Sequence, residues 1–263
     1  MSGNMIAMYD SGLGGLSVWR AVRAALPDWP ITYLADQAYC PYGPRSREEI
    51  IARALKVGHY LVSQGATLLV VACNTATTAA IAALRAELSL PIVGIEPAIK
   101  PAAAMSRTGR IAVLATEYTL ASERVKTLLD DHAGDVDVLR RAGHGWVEQV
   151  EAGELSSERT RALVRKVVEP LMGENIDHIA LGCTHYPFLA PLIREVTGDG
   201  IQLYDPAEAI ARRVCDLLRR HGCDSQGDRY YRFITTSDDA GEMALRLPQL
   251  IGHPYPVESQ PLD

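Results

Sequence analysis

Short apolar runs alternate with longer amphipathic stretches along most of this chain. The apolar runs have the length and the β-branched content of strands. Strands are predicted at Met5–Tyr9, Ile31–Leu34, Thr67–Ala72, Ile92–Ile95, Arg110–Ala115, Asp137–Arg140, His178–Leu181 and Gln202–Tyr204. Helices are predicted at Arg47–Gln64, Ala76–Glu87, Leu120–Asp131, Ser157–Met172 and Ala207–His221. After Gly222 the pattern is less regular, with one candidate strand at Tyr230–Thr235. The alternation is typical of α/β proteins with parallel sheets.

Two segments repeat the same order of features. In the first, an apolar strand leads to Cys73-Asn74-Thr75, then a helix, then a strand that ends at Glu96-Pro97-Ala98. In the second, the corresponding triplets are Cys183-Thr184-His185 and Asp205-Pro206-Ala207. The cysteine and the carboxylate are separated by 23 residues in one copy and by 22 in the other. A chance likeness between two ordinary strand–turn–helix units is the alternative interpretation. The repeat favours two pseudo-symmetric α/β domains with parallel sheets, residues 1–97 plus 207–263 and residues 98–206.

The paired cysteines indicate a chemistry. Ligands of open α/β sheets collect outside the carboxyl ends of the strands, so we expect an active site in the cleft between the two domains, with one cysteine on either side. Racemisation removes a Cα proton from one face and delivers a proton to the other, which calls for one thiolate and one thiol. Cysteine suits both roles, since its unperturbed pKa is about 8.5. A single cysteine is better interpreted as a small buried hydrophobe. The matched pair Cys73 and Cys183 is not, whereas Cys40, Cys215 and Cys223 are assigned to packing or to the surface.

Polar residues near each cysteine are candidates for supporting roles. His185 can act as the proton partner of Cys183, and Asp10, at the end of the first strand, has the matching place on the Cys73 side. A structural histidine and a helix N-cap aspartate are equally good interpretations of these two. The glycine turn that follows Asp10 lacks the third glycine of a dinucleotide fingerprint. Donors for an amino-acid carboxylate are available from Ser11, Asn74, Thr75 and Thr184. The turn around Tyr42-Gly43 is, from its residues alone, a surface turn.

Composition excludes several classes of function. The net charge of -6 is unsuited to a nucleic-acid-binding surface. No basic segment followed by an apolar run opens the chain, and no apolar run is long enough to cross a bilayer, so we expect a cytoplasmic protein without a membrane partner. Five cysteines without a CxxC pair support neither a disulfide framework nor a zinc site. No lysine follows a recognisable phosphate motif, so no cofactor is expected.

Taken together, the motifs resemble the glutamate racemase branch of the aspartate/glutamate racemase family. The resemblance rests on Asp10–Gly15, Pro41-Tyr42-Gly43, Cys73–Thr77, Glu96-Pro97, Leu181–Pro187 and Asp205. It implies two pseudo-symmetric domains with glutamate bound between them. It also implies that Cys73 takes the proton from D-glutamate and Cys183 from L-glutamate, without a cofactor or a metal.

The resemblance also implies roles for further residues. Asp10, His185 and Glu151 match auxiliary acid–base positions. The positions that match substrate-binding residues are Asp10, Ser11, Tyr42, Gly43, Asn74, Thr75, Thr116, Thr119, Thr184 and His185. Members of the family supply D-glutamate to bacterial peptidoglycan synthesis and are often dimers, so a homodimer is expected.

Two other functions stay open at this point. One is a racemase of the same fold that acts on aspartate, on a hydantoin or on a related amino acid, or a decarboxylase of that fold. Decarboxylation needs a single proton donor, so the second cysteine favours racemisation. The other is a two-lobed amino-acid-binding protein, which has no need of matched cysteines.

Overall fold

The structure is a computed structural model that describes residues 4–223 and 229–262. Its strands are β1 (Met5–Asp10), β2 (Ile31–Ala35), β3 (Ala66–Val71), β4 (Ile92–Gly94), β5 (Arg110–Ala115), β6 (Asp137–Ala142), β7 (His178–Gly182), β8 (Gln202–Tyr204), β9 (Tyr231–Thr235) and β10 (Val257–Ser259). Its helices are α1 (Leu16–Ala25), α2 (Arg47–Ser63), α3 (Asn74–Glu87), α4 (Ile99–Met105), α5 (Glu117–Leu120), α6 (Glu123–His132), α7 (Trp146–Glu151), α8 (Glu158–Val168), α9 (Ala190–Thr197), α10 (Ala207–Arg220) and α11 (Ala240–Ile251).

The chain forms two compact units. The first takes in the chain up to Ile95 and again from Ala207 onward, and the second spans Glu96–Pro206. The sequence prediction placed the first boundary two residues later. Both crossings fall at the carboxylate–proline–alanine triplets that end the two copies of the sequence repeat.

The first unit is built on a parallel sheet in the order β10-β9-β2-β1-β3-β4. Strands β1 and β2 lie in its interior, and every residue of both is buried. A parallel strand covered on both faces needs apolar residues at successive positions, which is why Met5–Tyr9 is a continuous apolar run. Helices α1 and α10 pack against each other, and the aromatic ring of Trp19 in α1 is fully buried against Phe233 in β9.

The second unit is built on a parallel sheet in the order β6-β5-β7-β8. Four strands of the first sheet, in the order β2-β1-β3-β4, correspond one by one to β6-β5-β7-β8 of the second. In both sets the strand that comes first along the chain lies between the second and the third, and the fourth lies next to the third. Strand β7 is buried throughout and so is nearly all of β5, whereas the edge strand β6 is partly exposed. The fold class predicted from the repeat, two α/β domains with parallel sheets, is therefore confirmed.

The predicted elements differ from the observed ones in several places. The single helix predicted at Leu120–Asp131 is wrong, because α5 and α6 are separate helices. Ser122 interrupts the helix, since its side chain accepts a hydrogen bond from the Val125 amide and so caps α6. The helix predicted at Ser157–Met172 ends early, with a 3₁₀ turn at Glu169–Leu171. Helices α4 and α7 were not predicted. Helix α11 and strand β10, which follow β9, were not predicted either.

In the part of the chain that the structure describes, no helix combines the length and the apolar character needed to cross a membrane.

We expect Gly15→Ala to destabilise the first unit. A Cβ at position 15 would lie 2.8 Å from the Asp10 Cβ, 2.9 Å from the Tyr33 hydroxyl oxygen and 3.0 Å from the Ala72 Cβ. Overpacking of this kind costs about 1–3 kcal/mol. The free energy of unfolding, measured by urea denaturation, checks it.

Gly173→Ala is the matched control, because a Cβ there meets nothing within 4 Å. We expect its effect to stay within about 0.5 kcal/mol. Equal stability of the two variants would contradict the tight packing of the turn that follows β1.

Candidate active site

Cys73 lies between the end of β3 and the beginning of α3. It is the N-cap residue of α3, and its sulfur accepts a hydrogen bond from the Ala76 amide at 3.4 Å. Cys73 is only 6% exposed. A helix amino terminus directs unpaired amides and a partial positive charge at such a sulfur, and both favour the thiolate form.

Ser11 bridges Cys73 to a carboxylate. The Ser11 hydroxyl lies 3.5 Å from the Cys73 sulfur and 3.3 Å from the Asp10 Oδ1 atom. Asp10 is fully buried, and the same oxygen accepts the Gly12 amide at 2.8 Å. Asp10 therefore fixes the turn and does not cap a helix, and the hydroxyl offers a proton path between carboxylate and thiol.

Asn74 is the clearest candidate for a ligand-binding side chain in the first unit. Its side chain is buried, yet among the described residues neither its amide nitrogen nor its amide oxygen has a hydrogen-bond partner. A buried amide without partners costs about 1–3 kcal/mol, so such groups are kept where a ligand satisfies them. Asn74 is next to Cys73, and the neighbouring Thr75 is buried as well.

Tyr42 and Gly43 lie on the loop between β2 and α2. The structure corrects the interpretation of this segment as a surface turn, because Tyr42 is buried. Its hydroxyl donates to Asp36 at 2.5 Å and receives the Tyr9 hydroxyl at 3.3 Å. Burial, Tyr9 and Asp36 raise the pKa of Tyr42 well above its usual value, so the hydroxyl stays a neutral donor.

Cys183 follows β7 in the second unit and is 7% exposed. Its sulfur lies 3.7 Å from the His185 Nδ1 atom. The other ring nitrogen of His185, Nε2, lies 2.6 Å from a carboxylate oxygen of Glu151, the last residue of α7. Cys183, His185 and Glu151 therefore form a continuous hydrogen-bonded row, in which the imidazole can exchange a proton with the sulfur while the carboxylate orients it.

The charge state of His185 follows from these contacts. Burial by itself would lower the pKa of His185, but the hydrogen bonds to Cys183 and Glu151 outweigh burial and raise it well above 6.5. Only 3% of the His185 side chain is exposed, so the two partners, and not water, stabilise its cationic form.

Hydroxyl groups lie at the ends of the strands beside Cys183. Thr116 follows β5 and caps α5 by accepting the Thr119 amide at 3.2 Å, and its hydroxyl donates to the Thr119 hydroxyl at 3.0 Å. Since Ala115 pairs with Gly182, Thr116 and Cys183 leave neighbouring strands at the same level of the sheet. Thr184 and Thr119 are buried.

Two supporting residues were missed by the sequence analysis. Tyr186 is fully buried, and its hydroxyl donates to the Ala115 carbonyl and accepts the Gly143 amide, each at 3.1 Å. It thereby ties the end of β5 and the turn before α7 to the segment that carries His185. Asp36, directly after β2, anchors Tyr42. The available signals were the place of Tyr186 next to His185 and the place of Asp36 at a strand end, like Asp10.

In the described residues, no group of three or more His, Cys, Asp or Glu side chains is arranged to hold a metal ion. The predicted site residues thus gather in each unit around its own cysteine. Asp10, Ser11 and Asn74 accompany Cys73, and His185 with Glu151 accompanies Cys183. Each group combines a thiol with an acid–base partner. Such a combination can transfer one proton to or from a carbon atom.

Comparisons with known proteins agree on one family. The family model described as Asp/Glu/Hydantoin racemase matches residues 16–214. The chain is 47% identical to the glutamate racemase of Methylococcus capsulatus over 224 residues, which cover 84% of this chain and 83% of that protein.

Solved structures give the same family. The crystal structure of a glutamate racemase isoform from Bacillus anthracis is 30% identical, with a TM-score of 0.88 and complete coverage of both chains. The Escherichia coli glutamate racemase, crystallised with L-glutamate and the activator UDP-MurNAc-Ala, is 29% identical with a TM-score of 0.87, over 98% of this chain and 97% of that one.

We expect Glu151→Gln to lower the pKa of His185, because the amide keeps a hydrogen-bonding shape but removes the negative charge. The pKa can be followed by the ¹⁵N chemical shifts of the imidazole during a pH titration. A folded-state pKa above the unfolded value of about 6.5 gives stability that is fully present below that pH and is lost as the pH rises through the folded-state pKa. The variant is expected to lose part of that pH-dependent stability.

Glu148→Gln, on the exposed side of the same helix α7, is the matched control and is expected to leave the His185 titration near that of the unaltered protein. An unchanged His185 pKa in Glu151→Gln would contradict the role given to this carboxylate.

Proposed function

Because the chain belongs to the Asp/Glu/hydantoin racemase family, we propose that it interconverts L-glutamate and D-glutamate by a two-base mechanism on Cys73 and Cys183. It is an isomerase, and the identity to curated glutamate racemases over most of the chain supports glutamate as its substrate. One observation carries the mechanism: each parallel sheet presents a buried cysteine at the carboxyl end of a strand, with its own acid–base partner beside it.

In the direction from L- to D-glutamate, the Cys183 thiolate takes the Cα proton and becomes a thiol. The electron pair of the broken C–H bond delocalises into the α-carboxylate. The Cys73 thiol then delivers its proton to the opposite face of Cα and is left as a thiolate. In the reverse direction the two sulfurs exchange roles. The chemistry requires the sulfurs to reach opposite faces of one carbon atom during turnover.

The supporting residues divide into two proton paths. Ser11 and Asp10 restore the protonation state of Cys73 after each turnover, and His185 with Glu151 does the same for Cys183. The different partners fit the need for one sulfur to be charged while the other is neutral, since each can be reset through a separate route.

Neutral donors are proposed to bind the substrate. The unpartnered Asn74 amide and the buried hydroxyls of Thr75 and Thr184 lie next to the cysteines in sequence and suit a carboxylate or an ammonium group. Tyr42 with Gly43, and Thr116 with Thr119, complete the proposed set from the neighbouring loops. Such groups fix the orientation of a small amino acid by hydrogen bonds and leave proton transfer to the sulfurs.

We further propose that the protein works in the cytoplasm as a homodimer and that its D-glutamate enters peptidoglycan synthesis. A reducing compartment would keep Cys73 and Cys183 as the thiols that the mechanism needs. Sedimentation tests the dimer, which predicts twice the chain mass of 28.6 kDa. Rescue of a bacterial D-glutamate auxotroph tests the cell-wall role.

We expect Cys73→Ser and Cys183→Ser each to reduce racemisation by at least about 10²–10⁴-fold, since each removes one acid–base group. Circular dichroism of glutamate during turnover provides the rate. Cys215→Ser, a half-buried cysteine on α10, is the control and should keep full activity. Undiminished turnover in either of the first two variants would end the proposal.

Turnover of L-glutamate in D₂O tests the two-base step itself. The proton delivered by Cys73 exchanges with solvent, so D-glutamate formed at low conversion should carry deuterium at Cα while the remaining L-glutamate stays largely protiated. Retention of the substrate proton in the product would indicate a single base. Parallel assays with aspartate decide the alternative substrate, and binding without any exchange would favour an amino-acid-binding protein.

A further inference from the structure

The loop that carries Tyr42 and Gly43 is wrapped around a buried ion pair. Asp36 directly follows β2, and Arg53 lies in α2, on the far side of the loop in sequence. The Arg53 Nη2 atom lies 2.6 Å from Asp36 Oδ1, and its Nε atom lies 3.1 Å from Asp36 Oδ2. Asp36 is fully buried and Arg53 is 5% exposed. The contact is therefore a bidentate pair inside the first unit.

Both oxygens of Asp36 are used twice. Besides Arg53, Oδ2 accepts the Tyr42 hydroxyl at 2.5 Å, and Oδ1 accepts the Thr236 hydroxyl at 2.8 Å. A carboxylate offers about four acceptor positions, so this one is saturated. The carboxylate of Asp36 is the acceptor that holds the Tyr42 hydroxyl in place.

Arg53 contacts the loop directly as well. Its guanidinium carbon lies 3.8 Å from the centre of the Tyr39 ring, a cation–π contact with the beginning of the loop. A third nitrogen, Nη1, donates to the Leu262 carbonyl. Arg53 thus holds the loop at two points. Its guanidinium group packs on the ring of Tyr39, and its pair with Asp36 holds the hydroxyl of Tyr42.

Without its counter-charge, a fully buried Asp36 would have to be protonated or solvated, and either change weakens its bond to Tyr42. We propose that Arg53 is a positioning residue for substrate binding, which pairs with Asp36 to hold the Tyr42–Gly43 segment in the form that receives glutamate. This inference rests on the proposed function, in which Tyr42 and Gly43 contact the substrate.

The effect belongs to binding more than to proton transfer. Cys73 is held by the Ser11 hydroxyl and the Ala76 amide, which come from other segments of the chain. A loosened loop leaves those contacts in place. The expected signature is an increased KM for glutamate with a smaller change in kcat.

The experiment compares Arg53→Gln and Arg53→Lys with Arg232→Gln. Arg232, on β9 of the same unit, also makes a bidentate pair, with Glu258 at 2.8 and 2.6 Å, but Arg232 is aligned with Thr32 near the start of β2, whereas the loop follows the end of that strand. We expect KM to rise about tenfold or more in Arg53→Gln, with kcat within about threefold. Arg53→Lys keeps the charge but loses the fork, so we expect an intermediate KM. Arg232→Gln should leave KM unchanged.

A second measurement separates positioning from general stability. Amide hydrogen exchange of the peptide covering residues 37–45 should speed up in the Arg53 variants and stay unchanged in Arg232→Gln. If Arg53→Gln does not fold, Arg53→Lys and Tyr42→Phe decide the matter, because their effects on KM should be less than additive when both act through Asp36.

Two results would overturn the inference: an unchanged KM in a folded Arg53 variant, or an equal rise of KM in Arg232→Gln. Turnover of glutamate by the unaltered protein is measured first. If the unaltered protein is inactive, the proposed function is contradicted. If it is active and the Arg53 variants keep the same KM, only this inference is contradicted.

Discussion

The parallel pairing of β1 with β3, and of β5 with β7, is the constraint on which both groups of site residues depend. Tyr9 is paired with Val71 and Ala115 with Gly182, so each pair of strands ends at one level of its sheet. Chain that leaves the sheet at that level brings Ser11 to Cys73 and sets Thr116 beside Cys183. A register shift of one residue between β1 and β3 would turn every following side chain to the other face, and Cys73 would lose its contact with Ser11.

The two cysteines have different hydrogen-bonding partners. The Cys73 side uses a hydroxyl and a buried carboxylate, and the Cys183 side uses an imidazole oriented by Glu151. Enantiomers have equal free energies in water, so kcat/KM for L- and D-glutamate must be equal whatever the partners are. The chemical difference between the two sides can therefore appear only in kcat and KM separately, with compensation between them.

Local pattern was enough to predict the elements that hold the cysteines. The strand Gln202–Tyr204 and the strands before Cys73 and Cys183 follow from apolar runs, and the two related halves follow from matching triplets. Strand β10 was missed because its place depends on distant pairing: β9 joins β2 across about two hundred residues, and β10 joins β9. The Asp36–Arg53 pair and the contacts of Tyr186 were out of reach for the same reason, since no spacing along the chain reports which buried polar groups meet.

Hydrogen bonds from buried tyrosine hydroxyls hold loops of both units in fixed conformations. Tyr33 donates to the Gly12 carbonyl at 2.6 Å, Tyr42 to Asp36, and Tyr186 to the Ala115 carbonyl. Loop backbone beyond the end of a strand has no neighbouring strand to satisfy its polar groups, and burying it unpaired would be costly. A tyrosine fills space with its ring and reaches the backbone with its hydroxyl, so it meets both demands with a single side chain. Loops held in this way can present amides and hydroxyls to a small ligand in fixed positions, which is what discrimination between the two faces of one carbon atom demands.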